Sequence, residues 1–144
     1  MFVKQLSVFI ENRKGRLEDV TNVLKDNDIN IVSISLADTN EYGLLRMIVS
    51  DPIRGKQALR DQGFSAMLTD VLAVRLPNGV GKLQNLLCHF NEAELNIEYM
   101  YILATGSGND SMVIKVSDNE KAASALEKAG VVLFNPDEAY AIHE

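Results

Sequence analysis

Two seven-residue stretches of this chain carry one pattern in one setting. Glu11-Asn12-Arg13-Lys14-Gly15-Arg16-Leu17 and Pro77-Asn78-Gly79-Val80-Gly81-Lys82-Leu83 each follow an alternating apolar run and open an amphipathic one. Asn12 and Asn78, Gly15 and Gly81, and Leu17 and Leu83 all stand at one offset of 66, with Asn-x-x-Gly-basic-Leu in common. Self-similarity at a fixed offset marks a duplicated structural unit, here a strand-to-helix turn used twice. Gly takes backbone conformations closed to other residues and lets a ligand approach the main chain. The first N–H groups of the following helix have no intrahelical partner and sit at the positive end of its dipole, where carboxylates are favoured. The Asn side chain is expected either to cap those N–H groups or to hold a ligand's polar group.

The rest of the chain repeats around these turns. Leu6, Val8 and Ile10 alternate with polar and outward positions as a strand does. Leu17, Val20, Thr21 and Leu24 then fall on one helical face. Asp28-Ile29-Asn30 ends that helix, and Val32, Ile34 and Leu36 alternate with Ile31, Ser33 and Ser35 as a second strand. Turn formers Thr39-Asn40-Glu41-Tyr42-Gly43 join it to a third, in which Leu45, Met47 and Val49 face the core, so the two form a hairpin. Ser50-Asp51-Pro52 opens a second helix that stops at Gly63. Residues 64–68 are expected to be a closing strand.

Leu72, Val74 and Leu76 begin the same order again, followed by Leu83, Leu86, Leu87 and Phe90, then Glu94-Leu95-Asn96-Ile97. One extra residue in the Gly-rich loop at 105–109 shifts the offset to 67, so that Ser117-Asp118 answers Ser50-Asp51 and Gly130 answers Gly63. A surface loop is where an insertion is tolerated best. Ala122, Ala125, Leu126 and Ala129 share a helix face, residues 131–134 are expected to close the second unit, and 138–142 echoes the run beginning at Asp70. The expected division is 1–68 and 69–144, two strand-helix-strand-strand-helix-strand units packed side by side about a pseudo-twofold axis.

On the opposite sheet faces stand Ser7, Phe9, Ile31, Ser33, Leu44 and Ile48 in the first unit, and Ala73, Ile97, Tyr99, Tyr101 and Val113 in the second. Such a surface is too apolar to remain wet, and a homodimer packed through it is the expectation.

Charge excludes one class of partner. With a net charge of -6 and a pI near 4.9, the chain repels polyanions on average. The outward Tyr99 and Tyr101 lack companion aromatics on the third strands, so a base-stacking platform is not formed. No apolar run approaches the roughly 18 residues of a membrane helix, and Met1-Phe2-Val3-Lys4 leads into a strand pattern instead of a signal peptide. The single cysteine, Cys88, suits a reducing compartment; a soluble, cytoplasmic protein is expected.

Catalysis needs a positioned base or nucleophile. His89 adjoins Cys88 on a helix, so their side chains diverge by about 100°; a buried Cys88 and a surface His89 are expected, and His143 lies at the tail. Neither Cys-x-x-Cys nor His-Glu-x-x-His occurs. Glu18 and Asp19 sit where a helix dipole favours carboxylates and have Gln84 and Asn85 as counterparts. No enzyme activity, metal or cofactor is expected.

Two in-register copies of this unit, each with Asn-x-x-Gly-basic-Leu after its first strand and Asn-Ile at its second, resemble the ACT domain family over essentially the whole chain. The resemblance implies an α+β fold of two ferredoxin-like βαββαβ repeats and a stand-alone, non-catalytic regulator. ACT domains commonly bind free amino acids where two domains meet and act on enzymes of amino-acid biosynthesis. By that likeness the ligand-binding residues are Asn12, Arg13, Lys14, Gly15, Arg16, Leu17, Asn30 and Ile31, with Asn78, Gly79, Val80, Gly81, Lys82, Leu83, Asn96 and Ile97. Serine-sensing members carry a His two residues before the first Asn; Ile10 and Leu76 stand there instead. The second turn, with two glycines, is ranked ahead for a neutral amino acid. The alternative is a ligand-free module that binds a biosynthetic enzyme through its sheet face.

Overall fold

The computed structural model describes residues 2–38, 41–103 and 111–141. The turn residues Thr39 and Asn40, the loop at 105–109, Ile142 and His143 lie outside them. Elements follow in the order β1 (Val3–Glu11), α1 (Arg16–Asp26), β2 (Ile31–Asp38), β3 (Tyr42–Val49), α2 (Pro52–Asp61), β4 (Ser65–Arg75), α3 (Lys82–Glu92), β5 (Ile97–Leu103), β6 (Ser111–Val116), α4 (Asn119–Lys128) and α5 (Pro136–Tyr140). The chain divides into Lys4–Thr69 and a second unit of Met1–Val3 with Asp70–Glu144. β4 runs unbroken across that division, closing one repeat and opening the next without a linker.

In the 4–69 unit the strand order is β2-β3-β1-β4. The hairpin register pairs Leu36 with Leu45 and Ile34 with Met47, and β1 pairs antiparallel with β3 from Leu6↔Met47 to Glu11↔Tyr42. The period-two pattern therefore delivers Leu6, Val8, Ile10, Leu45, Met47 and Val49 to one face, where Val20 and Leu24 of α1 and Leu59 of α2 meet them. Asp51 caps α2 by accepting from the Arg54 N–H at 3.2 Å, and Pro52 fills the first helical position. Gly63 ends the helix segment at φ +86°.

In the 70–144 unit β4, β6 and β5 are neighbours in that order. Leu72, Val74, Leu86, Phe90, Ile114, Val116, Ala122 and Leu126 form its core, so the second hydrophobic pattern repeats the work of the first.

Four expectations change. Residues 131–134 do not form a strand: Val74↔Leu133 is an isolated bridge, supported by Arg75 N–H to Val132 O at 2.9 Å and Phe134 N–H to Ala73 O at 2.8 Å. Pairing cannot extend because Pro136, without an N–H, follows at once. The segment from Glu138 is helical, since Asn135 and Glu138 make a reciprocal capping box around Pro136. Ile31 and Ile97 turn inward to pack on the two cores, each displaced by a bulge, Ile31/Ser33 in β2 and Ile97/Tyr99 in β5. Finally, the face expected to be covered by a second copy is covered in part without one: Ser7, Ser33, Ile48, Ala73 and Val113 are buried in a single chain, although Phe9 remains 45% exposed. The reason given for a homodimer fails at the buried positions.

Candidate functional site

Both glycine turns adopt the same geometry. Gly15 at φ +88° and Gly81 at φ +81° are left-handed N-caps of α1 and α3, and neither helix has a side-chain cap. Glycine takes the N-cap position in both turns because its φ is strained for any L side chain. The amides of Leu17 and Glu18, and of Leu83 and Gln84, begin helices whose N-cap glycines offer no side-chain oxygen.

The charges of the two turns differ. At the first, Arg13 Nε lies 2.8 Å from Glu11 Oε2, and Arg16 Nη1 lies 3.3 Å from Asp19 Oδ2. The Arg16 guanidinium also stands 4.4 Å from the centroid of the Phe64 ring. Lys14 is exposed and Leu17 is 39% exposed. Around the second turn Asn78, Gly79, Val80, Gly81 and Leu83 are exposed. Lys82 makes no ion pair among the described residues. A Cβ placed on Gly79 would come within 3.3 Å of Lys82 Cγ, so this glycine leaves room for the lysine stem against the turn.

Behind the second turn opens a cleft of about 220 Å³, lined by Arg75, Leu76, Pro77, Lys82, Asn85, Leu86, His89 and Gly130 to Val132. Lys82, Asn85 and His89 recur at i, i+3 and i+7, the spacing that places them on one face of α3. Of the residues expected at the site, only Lys82 lines it. Asn30 belongs to another cleft, about 430 Å³, shared with Thr21, Lys25, Asp28 and Ile31 and with no residue of the 12–17 turn. Its backbone is tied to Ser50 in both directions at 2.9 Å. Asn96 is exposed and Ile97 packs on the core.

Sequence reasoning missed Arg75, Asn85, His89 and Val131. The signal was present: at the repeat offsets they replace Phe9, Asp19, Val23 and Phe64, departures that mark where the second copy does something different. The expected burial of Cys88 is also corrected. Cys88 is exposed, with its Sγ 3.6 Å from Gln84 Nε2, while His89 is half-buried, because α3 turns position 89 and not 88 toward the cleft. Among the described residues no group of His, Cys, Asp and Glu is placed to hold a metal ion, and no helix is long and apolar enough to cross a membrane.

The sequence profile described as an ACT domain pair matches residues 1–141. Among solved structures, the chain is similar to protein BT0572 from Bacteroides thetaiotaomicron, with 37% identity and a TM-score of 0.92 over 98% of this chain and 97% of that one. The ligand-free regulatory subunit of aspartate kinase from Thermus thermophilus shares the fold at 18% identity and a TM-score of 0.62, covering 89% and 93%. Its counterpart from Thermus flavus does so at 20% and 0.62, covering 90% and 94%. No curated protein matches the chain.

Proposed function

The chain belongs to the ACT domain pair family, and on that premise we propose that it is a non-catalytic regulatory protein that binds a free amino acid and modulates an enzyme of amino-acid biosynthesis. The observation that carries the ligand reading is the pair of helix starts whose N-caps are the left-handed Gly15 and Gly81, with no N-cap side chain to occupy the first amides. Main-chain N–H groups there match an α-carboxylate, with Asn12, Asn30, Asn78 and Asn96 as the amides proposed to hold its ammonium. Support for the regulatory part comes from the fold shared with regulatory subunits of aspartate kinase. The aqueous cell interior is the proposed setting.

A thermal-shift screen of the full chain against the twenty amino acids tests the reading. Ligand at a hundred times its dissociation constant adds about 2.7 kcal/mol to stability, or roughly 5 to 15 °C at this chain length. Twenty null results would overturn ligand binding and leave the ligand-free interaction module.

A homodimer completes the proposal, on a different footing from the buried sheet faces. The edge strands β2 and β5 keep large apolar side chains exposed, Ile34 at 47%, Leu36 at 50% and Ile102 at 62%, and exposed apolar side chains on edge strands favour association.

A further inference from the structure

The two repeats treat one place in the fold in opposite ways. In the 4–69 unit, Arg16 stacks over Phe64 and pairs with Asp19, so the cation is covered by a ring and neutralised by a carboxylate. At the equivalent positions of the 70–144 unit stand Lys82, Val131 and Asn85. The ring is gone, the carboxylate is an amide, and Val23 has become His89. All four exchanges converge on the one cleft behind α3, whose lining holds no Asp or Glu.

We infer that this cleft is a binding site for a small carboxylate with a branched aliphatic tail, the chemistry shared by branched α-amino acids and their 2-oxo acids. The inference rests on the regulatory small-molecule reading above and adds a location and a ligand class. The Lys82 ammonium supplies the charge-assisted bond to the carboxylate, and nothing acidic in the lining competes for it. Asn85 and His89, one and two turns further along α3, offer hydrogen bonds to the group on the α-carbon. Leu76, Leu86 and Val131 wall the remainder with apolar surface. A volume near 220 Å³ lies below the roughly 300–1,000 Å³ of pockets for drug-sized ligands, which selects a compact metabolite over a nucleotide.

Isothermal titration of the full chain with L-valine, L-leucine, 3-methyl-2-oxobutanoate and 4-methyl-2-oxopentanoate tests it. At least one probe binds, Lys82→Gln weakens it about tenfold or more, as expected for a bond to a charged group, and Val131→Phe, which restores the first unit's ring, abolishes it. Lys128→Gln, outside the lining, changes nothing. Should Val131→Phe fail to fold, the exposed Lys82→Gln decides. Binding by 2-oxo acids alone supports the cleft and leaves the amino-acid reading to the twenty-amino-acid screen. An amino acid that binds Lys82→Gln and Val131→Phe as tightly as the parent overturns the cleft and leaves that reading standing. No binding by any of the probes overturns the cleft, and the twenty-amino-acid screen judges the other reading separately.

Discussion

Gly15 and Gly81 set both helix starts through one backbone angle. Nothing lies within 4 Å of the Cβ either would carry as alanine, so substitution meets no clash and only conformational strain. Gly81→Ala is therefore expected to lower stability by about 1–2 kcal/mol, and Gly15→Ala by the same amount, both read from urea unfolding. Equal stability to the parent would show that the left-handed conformation is not required. Elsewhere at this scale the repeats part company, and each difference is chemical. Arg16 lies on an aromatic face and has a carboxylate partner; Lys82 has neither among the described residues.

Elements are specified by their ends as much as by their faces. Asp51 and Asp118 cap α2 and α4 with the same bond, from the N–H of Arg54 at 3.2 Å and of Lys121 at 3.1 Å. Removing either oxygen by Asp51→Ala or Asp118→Ala is expected to destabilise by about 1 kcal/mol, measured as a fall in the urea midpoint with an unchanged slope. No change in the midpoint would mean water satisfies the helix start equally well. Helix faces were legible because 3.6-residue spacing put Val20 with Leu24 and Leu86 with Phe90, and all four are buried. β2 and β5 were read less well. Alternation presumes an unbroken register, and a bulge near each strand's start sends Ile31 and Ile97 to the core. The last element departs for a different reason: the likeness of 138–142 to the run beginning at Asp70 carries no backbone preference, whereas Asn135-Pro136 is a helix-opening pair.

At the scale of the molecule, the proposed dimer is tested by sedimentation equilibrium. The expected mass is about twice 15.9 kDa, and Leu36→Lys with Ile102→Lys, charges set on exposed edge positions, is expected to yield the monomer. A parent chain that sediments as a monomer at micromolar concentration would remove the dimer from the proposal.

By itself the sequence determined the duplicated order of strands and helices, the two glycine turns and the main core positions. These follow from local periodicity and from residues whose backbone preferences act at one point, which a single strand of text displays. Tertiary structure alone decided how far the other side of the sheet is covered, since alternation assigns Ile48, Ala73 and Val113 to that face but does not say that they are buried there. It also decided the cleft. Lys82, Asn85 and His89 gain meaning only when α3 is laid beside Gly130 to Val132, some forty residues on, and no periodicity encodes which side chains a fold leaves without a neighbour.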